Sequence, residues 1–485
     1  MASITKRKWL KVGLVFVLSF FLLFPWQVWA INSVPTAPAN VENNGTPNIV
    51  LILTDDQRTD TLWAMPVVQS ELVAKGISFS NGFVVNSLCC PSRSSILTGQ
   101  YSHSTGVYRN HPPYGGFESF SDKSTIATWL QKAGYTTAFI GKYLNNYVGP
   151  YVPPGWDHWA AFNGLPAYQN YALSVNGELE RYGRDESDYS TDVLTDKTVS
   201  FIMQTKGPIF VHYAPYAPHV PYYPAPRHRD AFSDLPIYDP PSFNEEDVSD
   251  KPQWVRNLKE VNRDGVESTR KNQYRTLLAV DEGVERIIGA LKQTGRLENT
   301  IIVFMSDNGY SWGEHRWFAS KHAAYDEDIG VPYVVRYDAL IANPGKESNK
   351  IVLNIDLAPT FADLAGVEAP NVDGKSFASI LRGDEYPWRT DFLIEHLKDN
   401  QRAVFGGRRG PPAKIPTYCA VRKIDEFQNL SYVMYKSDEE ELYDIANDPY
   451  QLDNLASNVD YQSTLEQMRT RTMELCNPLP PRFNE

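Results

Sequence analysis

The sequence predicts an α/β protein in which a large, mainly parallel sheet is sandwiched by helices and followed by a smaller C-terminal α+β subdomain. Buried-looking, β-branched runs alternate with stretches of helical periodicity, the pattern of a parallel sheet with helical crossovers. Polar, chemically capable residues stand at the ends of successive strands, where open α/β sheets bind their ligands. From about residue 385, short strand-like runs ("LSYVMY", "ELYDIA") precede a helix-like stretch ending at Cys476.

The chain opens with Lys6, Arg7 and Lys8, then an almost wholly apolar run from Val12 to Phe24, then Val28-Trp29-Ala30. This has the form of a secretory signal peptide cut after Ala30. The run is short against the roughly 20 residues of a membrane span, with a retained anchor as the alternative. Residues 31–46 are polar and Pro-rich and read as a flexible leader. "NIVLILTDDQRTD" (48–60) is a buried strand running into Asp55 and Asp56. "TIATWLQKAGYTTAFIGKY" (125–143) is a helix ending near Gly134, then a strand ending at Lys142. "GPIFVHYAPYAPHVP" (207–221) is a strand leading to a turn with His219. "QYRTLLAVDEGVERIIGALKQTG" (273–295) is a helix stopped by Gly295, and "NTIIVFMSDNG" (299–309) is a strand that delivers Asp307 and Asn308. The resulting division is 1–30 signal, 31–46 leader, 47–384 main domain and 385–485 C-terminal subdomain.

Composition narrows the class of function. A net charge of −12 without a basic stripe argues against nucleic acid as a partner. No later stretch is long and apolar enough for a membrane span, so an exported soluble protein without stable membrane insertion is expected. Export would permit disulfides, and Cys419 could pair with Cys476. Asp55, Asp56, Asp307 and Asn308 are hard oxygen donors, which suit Ca²⁺ or Mg²⁺ better than zinc or copper. Each acidic pair could instead be a turn or helix cap.

The segment "NSLCCPSRSSILTG" (86–99) holds two of the four cysteines. Pro91 favours a helix start there, with helix over 92–98 and Gly99 as its stop. Cys89 then lies at a helix N-terminus, which favours an anion, and Arg93 supplies a bidentate anion ligand one turn on. One ordinary reading is a thiolate of lowered pKa.

"CCPSRSSILTG" resembles the Cys-x-Pro-Ser-Arg-x-x-x-Leu-Thr-Gly signature of type I sulfatases, in the alkaline phosphatase superfamily. "LTDDQRTD" and "MSDNG" resemble that family's metal-binding pairs. "GKY", "APHVP" and "SKHAAYDEDIGVP" resemble the blocks carrying its catalytic lysine, histidine and second lysine. "GKYLNNY" and "PPGWDHW" are similar to segments of N-acetylglucosamine-6-sulfatases and related arylsulfatases. The resemblance implies an alkaline-phosphatase-like fold and a sulfuric ester hydrolase. It implies that Cys89, not Cys90, becomes Cα-formylglycine through a separate maturation enzyme. It also implies that Asp55, Asp56, Asp307, Asn308 and the modified Cys89 bind one Ca²⁺, with Mg²⁺ as second choice. Arg93 and Lys142 would steady the aldehyde hydrate, and His219 and Lys321 would bind sulfate and serve the leaving oxygen. The hydrate's second hydroxyl would let sulfate leave without attack by water. The implied substrate is an aryl sulfate or a sulfated glycan such as N-acetylglucosamine 6-sulfate. The implied location is secreted or periplasmic, or lysosomal in a eukaryote.

Many family members carry histidine two residues after the first catalytic lysine, where this chain has Leu144. His103 and His315 are therefore candidates for the missing base. Two other functions compete: hydrolysis of a phosphonate or phosphate ester, and sulfoglycan binding without catalysis.

Overall fold

The computed structural model describes residues 45–384, 387–398, 402–405, 408–412 and 415–484. The expected signal peptide and most of the leader lie outside the described residues. Among the described residues no helix is long and apolar enough to cross a membrane.

Ten strands make the large sheet: β1 (Asn48–Thr54), β2 (Ile77–Phe79), β3 (Thr136–Gly141), β4 (His158–Phe162), β5 (Tyr171–Val175), β6 (Glu178–Tyr182), β7 (Ile209–Ala214), β8 (Thr300–Ser306), β9 (Tyr333–Arg336) and β10 (Lys346–Ser348). Their spatial order is β10-β2-β9-β8-β1-β7-β3-β4-β5-β6. The five central strands, β8 to β4 in that order, run parallel. The pairs β2–β9, β8–β9, β4–β5 and β5–β6 are antiparallel, so the sheet is mixed rather than parallel throughout.

Both faces are covered, as the continuous apolar runs of the central strands require. Ile49, Leu51 and Leu53 of β1 pack on one side with Leu97 of α1 (Cys89–Thr98), Leu130 of α2 (Ile126–Lys132) and Phe361 of a helix at Leu357–Ala365. Val50 and Ile52 point the other way, to Leu194 of α3 (Ser190–Gln204) and Leu277 and Val284 of α4 (Arg263–Gln293). This is the period-two alternation of a strand buried on both faces.

Two helix boundaries differ from expectation. Helix α4 begins at Arg263, ten residues before its apolar periodicity does, because Asn262 caps it by accepting the Gly265 N–H at 2.9 Å. Helix α1 begins at Cys89, with Pro91 as its third residue. A first-turn N–H has no intrahelical partner, so proline costs nothing there. Gly99 ends the helix in the left-handed region, at φ +71.

A second sheet of four antiparallel strands follows: β11 (Asp391–His396), β12 (Tyr418–Ile424), β13 (Asn429–Tyr435) and β14 (Glu440–Asp444). A final helix, α5 (Gln462–Leu475), packs Leu465 and Met468 onto Val421 and Tyr432. A disulfide joins Cys419 to Cys476, 57 residues apart in sequence. The small sheet docks on the large domain through Phe392, Ile394 and Tyr418, which share an apolar cluster with Phe83 and Val85.

Candidate active site

Four adjacent parallel strands each deliver a polar group at their carboxyl ends. Asp55 and Asp56 follow β1, Asp307 and Asn308 follow β8, Lys142 follows β3, and His219 follows β7 after a Pro-containing turn. Helix α1 presents Cys89 and Arg93 to the same place, and Lys321 enters just after a short strand at Phe318–Ser320. Asp55, Asp56, Cys89 and His219 offer ligand atoms all within 4.8 Å of one another. Asp307 and Asn308 join them: the Asp56 N–H donates to Asp307 Oδ1 at 3.2 Å, and Asn308 Nδ2 donates to Asp56 Oδ1 at 2.8 Å.

Cations interleave with these carboxylates. Arg93 Nε donates to Asp307 Oδ2 at 2.7 Å, and its Nη1 donates to the Lys142 carbonyl at 2.6 Å. Lys142 Nζ pairs with Asp55 and Lys321 Nζ with Asp56. Lys321 Nζ also lies 2.8 Å from Cys89 Sγ. Burial alone would push the Asp55 carboxyl up, but Lys142, with Arg93, brings it below the usual range. Burial is likewise overcome at Asp56, chiefly by Lys321. The Cys89 thiol behaves oppositely: burial pushes it up to about 11 although Lys142 and Lys321 pull it down. A free Cys89 is therefore not the low-pKa thiolate that cysteine nucleophiles require.

The residues present fit a divalent ion. Three carboxylates and a carboxamide converge, and Asn308 Oδ1 is buried with no hydrogen-bond partner among the described residues. A buried carbonyl oxygen without a donor is costly unless a ligand takes it. Its neighbours are hard oxygens, as Ca²⁺ or Mg²⁺ prefers.

In each of the two extra histidines a carboxylate takes Nδ1, while His315 Nε2 has no hydrogen-bond partner among the described residues. His103 Nδ1 lies 3.1 Å from Glu395 Oε1, and its ring stacks on Tyr101. His315 Nδ1 lies 2.6 Å from Glu245 Oε2, and its ring stacks on Tyr325. Leu144 is buried in an apolar cluster with Phe139, Tyr147 and Trp159, which explains an aliphatic residue there. Sequence reasoning missed Tyr216. Its ring stacks on His219 with centroids 4.7 Å apart, and Lys142 Nζ lies 5.8 Å from the ring centre. An aromatic residue three positions before His219, in a turn beyond a strand end, was the available signal.

Residues 47–367 match the sulfatase family, and residues 313–477 match the C-terminal region of N-sulphoglucosamine sulphohydrolase. N-acetylglucosamine-6-sulfatase of Capra hircus is 33% identical over 469 residues, covering 88% of this chain and 83% of that one. The Homo sapiens enzyme of that name is also 33% identical, covering 88% and 84%. A solved structure in complex with its substrate D-glucosamine-2-N,6-O-disulfate superimposes with a TM-score of 0.77 at 26% identity, covering 90% of this chain and 100% of the other. The likeness agrees with an alkaline-phosphatase-like fold, a large mixed sheet flanked by helices. With the Cys89 segment, the strand-end cluster and these likenesses in agreement, the chain is a sulfuric ester hydrolase and belongs to the sulfatase family.

Proposed function

We propose that the protein is an exported sulfatase acting on sulfated glycans, with the 6-sulfate of an N-acetylglucosamine-type sugar as its preferred ester. One observation carries the reading of the site: Cys89, Arg93, Lys142, His219 and Lys321 converge on two acidic pairs at the ends of neighbouring strands. The choice of sugar rests on the relatives named above.

Asp55, Asp56, Asp307 and Asn308 would hold one Ca²⁺ together with an oxygen at position 89 after conversion of Cys89 to formylglycine. When present, the hydrated aldehyde would supply a hydroxyl nucleophile and the ion would supply Lewis-acid stabilisation of the ester. The chain's own residues do the rest. Arg93 is locked between Asp307 and the Lys142 carbonyl, so its charge beside position 89 needs no rearrangement during reaction. Lys142 and Lys321 are held charged by Asp55 and Asp56, and they neutralise charge that builds on the sulfuryl and leaving oxygens.

His219 Nδ1 lies 2.8 Å from the Val220 carbonyl. A carbonyl only accepts, so Nδ1 carries the proton and the neutral ring keeps an acceptor at Nε2. That Nε2 faces Asp56 at 3.6 Å and provides a base inside the cluster, where Leu144 provides none. Release of sulfate from N-acetylglucosamine 6-sulfate and 4-nitrophenyl sulfate, and of 4-nitrophenol from the phosphonate monoester 4-nitrophenyl phenylphosphonate, with mass analysis of the Cys89 peptide, tests the reading. Release from the two sulfates with an aldehyde at position 89 is expected. Release only from the phosphonate would overturn it.

A further inference from the structure

Beside Lys321 lies a histidine pair that the chemistry above does not use. His322 directly follows Lys321. His396 is the last residue of β11, and period-two alternation puts it on the face of Phe392 and Ile394, which meets the large domain. The two rings meet edge to face with centroids 5.4 Å apart. Tyr418 fixes both: its hydroxyl donates to the His322 carbonyl at 2.8 Å, and its ring stacks on His396 at 5.2 Å. His322 has φ +95, a backbone state that non-glycine residues rarely adopt and that clusters at functional sites.

The rigid pair leaves polar atoms unused. His396 is 1% exposed, yet its Nε2 has no hydrogen-bond partner among the described residues, and neither has His322 Nδ1. Buried polar atoms in native proteins nearly always find partners, so two orphans, one on the residue after Lys321 and one on the ring packed against it, call for a ligand. Burial pushes His322 down to about 3, helped by Lys321, and His396 well below its usual value, helped by His322 and Arg109. Both rings are neutral, and each offers one donor and one acceptor. That chemistry suits hydroxyl or amide groups and gives no attraction to a second sulfate.

We propose that His322 and His396 form the part of the pocket that reads uncharged hydroxyl or acylamide groups on the sugar ring bearing the sulfate. This rests on the sulfatase reading above and makes the pair specificity determinants rather than catalytic groups. A site built to hydrogen-bond a substrate group discriminates strongly, because its own buried atoms are otherwise left unpaired.

The test compares His396→Gln, His322→Gln and His396→Ala with wild type on N-acetylglucosamine 6-sulfate and on 4-nitrophenyl sulfate, measuring kcat and KM separately. The expected result for His396→Ala is an about tenfold to hundredfold loss of kcat/KM on the sugar ester, with less than about threefold change on the aryl ester, which lacks those groups. His396→Gln should recover part of the loss. Retained aryl sulfatase activity shows that a variant is folded and matured. Equal losses on both esters would mean that the pair only positions Lys321, and would overturn the proposal. So would unchanged kinetics on both, or a wild type active on the aryl ester alone. A wild type that releases sulfate from neither ester would overturn the functional reading itself, and the proposal with it.

Discussion

Gly141→Ala should disable the enzyme from outside its chemistry. Gly141 ends β3, pairs in register with Ala214 of β7 and immediately precedes Lys142. A Cβ on Gly141 would sit 1.9 Å from the Ala214 carbonyl oxygen and 2.5 Å from its carbon, at φ +130. Real Cβ contacts essentially never fall below 3.0 Å, so the two strands must part by at least about 1 Å, and what yields is backbone rather than a flexible side chain. The Lys142 N–H donates to that same carbonyl at 2.8 Å, and such a displacement takes it beyond hydrogen-bond range. Backbone strain of about 1–3 kcal/mol and a lost hydrogen bond of about 1 kcal/mol give a loss of about 3 kcal/mol in urea unfolding. A 1 Å misplacement of Lys142 should lower kcat/KM about hundredfold. Gly289→Ala in α4, where a Cβ meets nothing within 4 Å, is the matched control and should gain up to about 1 kcal/mol. If Gly141→Ala keeps wild-type kinetics and wild-type unfolding, the claim that this strand end sets the position of Lys142 is wrong.

Cys89→Ala should abolish turnover, while Cys90→Ala, which trims a buried sulfur from the core, should cost about 1 kcal/mol of stability and leave a matured, active enzyme; steady-state assays on both variants decide this. Asp307→Ala should lose far more activity than Asn308→Ala, since it removes a charge from the ion and the 2.7 Å partner of Arg93; metal analysis of each variant should show the same order. Prolonged chelation should silence the wild type, with recovery on adding Ca²⁺, and an enzyme that stays active without any divalent ion would refute the metal assignment. Burial raises the Asp328 carboxyl to about 7 although Ser311 and the Ala323 N–H hydrogen-bond to it. A folded-state pKa above the unfolded value stabilises at low pH, so stability should fall as pH rises from about 4 to about 7. Urea unfolding of Asp328→Asn should show a flatter profile over that window.

The strand-end groups of the candidate site, Asp55, Asp56, Lys142, Asp307 and Asn308, were legible because each sits at an abrupt change from apolar to polar, as in "NIVLILTDD" and "IIVFMSDN", whereas Cys89 and Arg93 were found through their helix segment. A buried strand must end where its side chains meet solvent or ligand, so the boundary marks the site. The margin beyond β8 was not legible in this way: β2, β9 and β10 are short, only β9 runs against the central strands, and β2 and β10 reach the sheet only through long-range pairing. The first ten residues of α4 are largely polar and are held by the Asn262 cap and by packing rather than by periodicity. His322 and His396 carry no local motif. They lie far apart in sequence and meet only because the small sheet docks beside Lys321. His103 and His315 illustrate the reverse case, in which a histidine near a motif serves a carboxylate behind it.

Cys89 is 1% exposed in the folded chain, in the first turn of α1, with Lys321 Nζ 2.8 Å and Asp55 Oδ1, just beyond β1, 3.8 Å from its sulfur. No second protein can grip that segment once these elements have met. The proposed conversion of Cys89 must therefore come before the fold is complete, while residues 86–99 are still an extended strip of chain. Maturation and folding then run as competitors, and the non-local pairing of β1 with β7 and β8, about 160 and 250 residues downstream, decides how long the strip stays open. On that proposal, a chain that folded first would keep a sealed thiol, and the active fraction of a preparation would record the outcome of that race rather than the stability of the product.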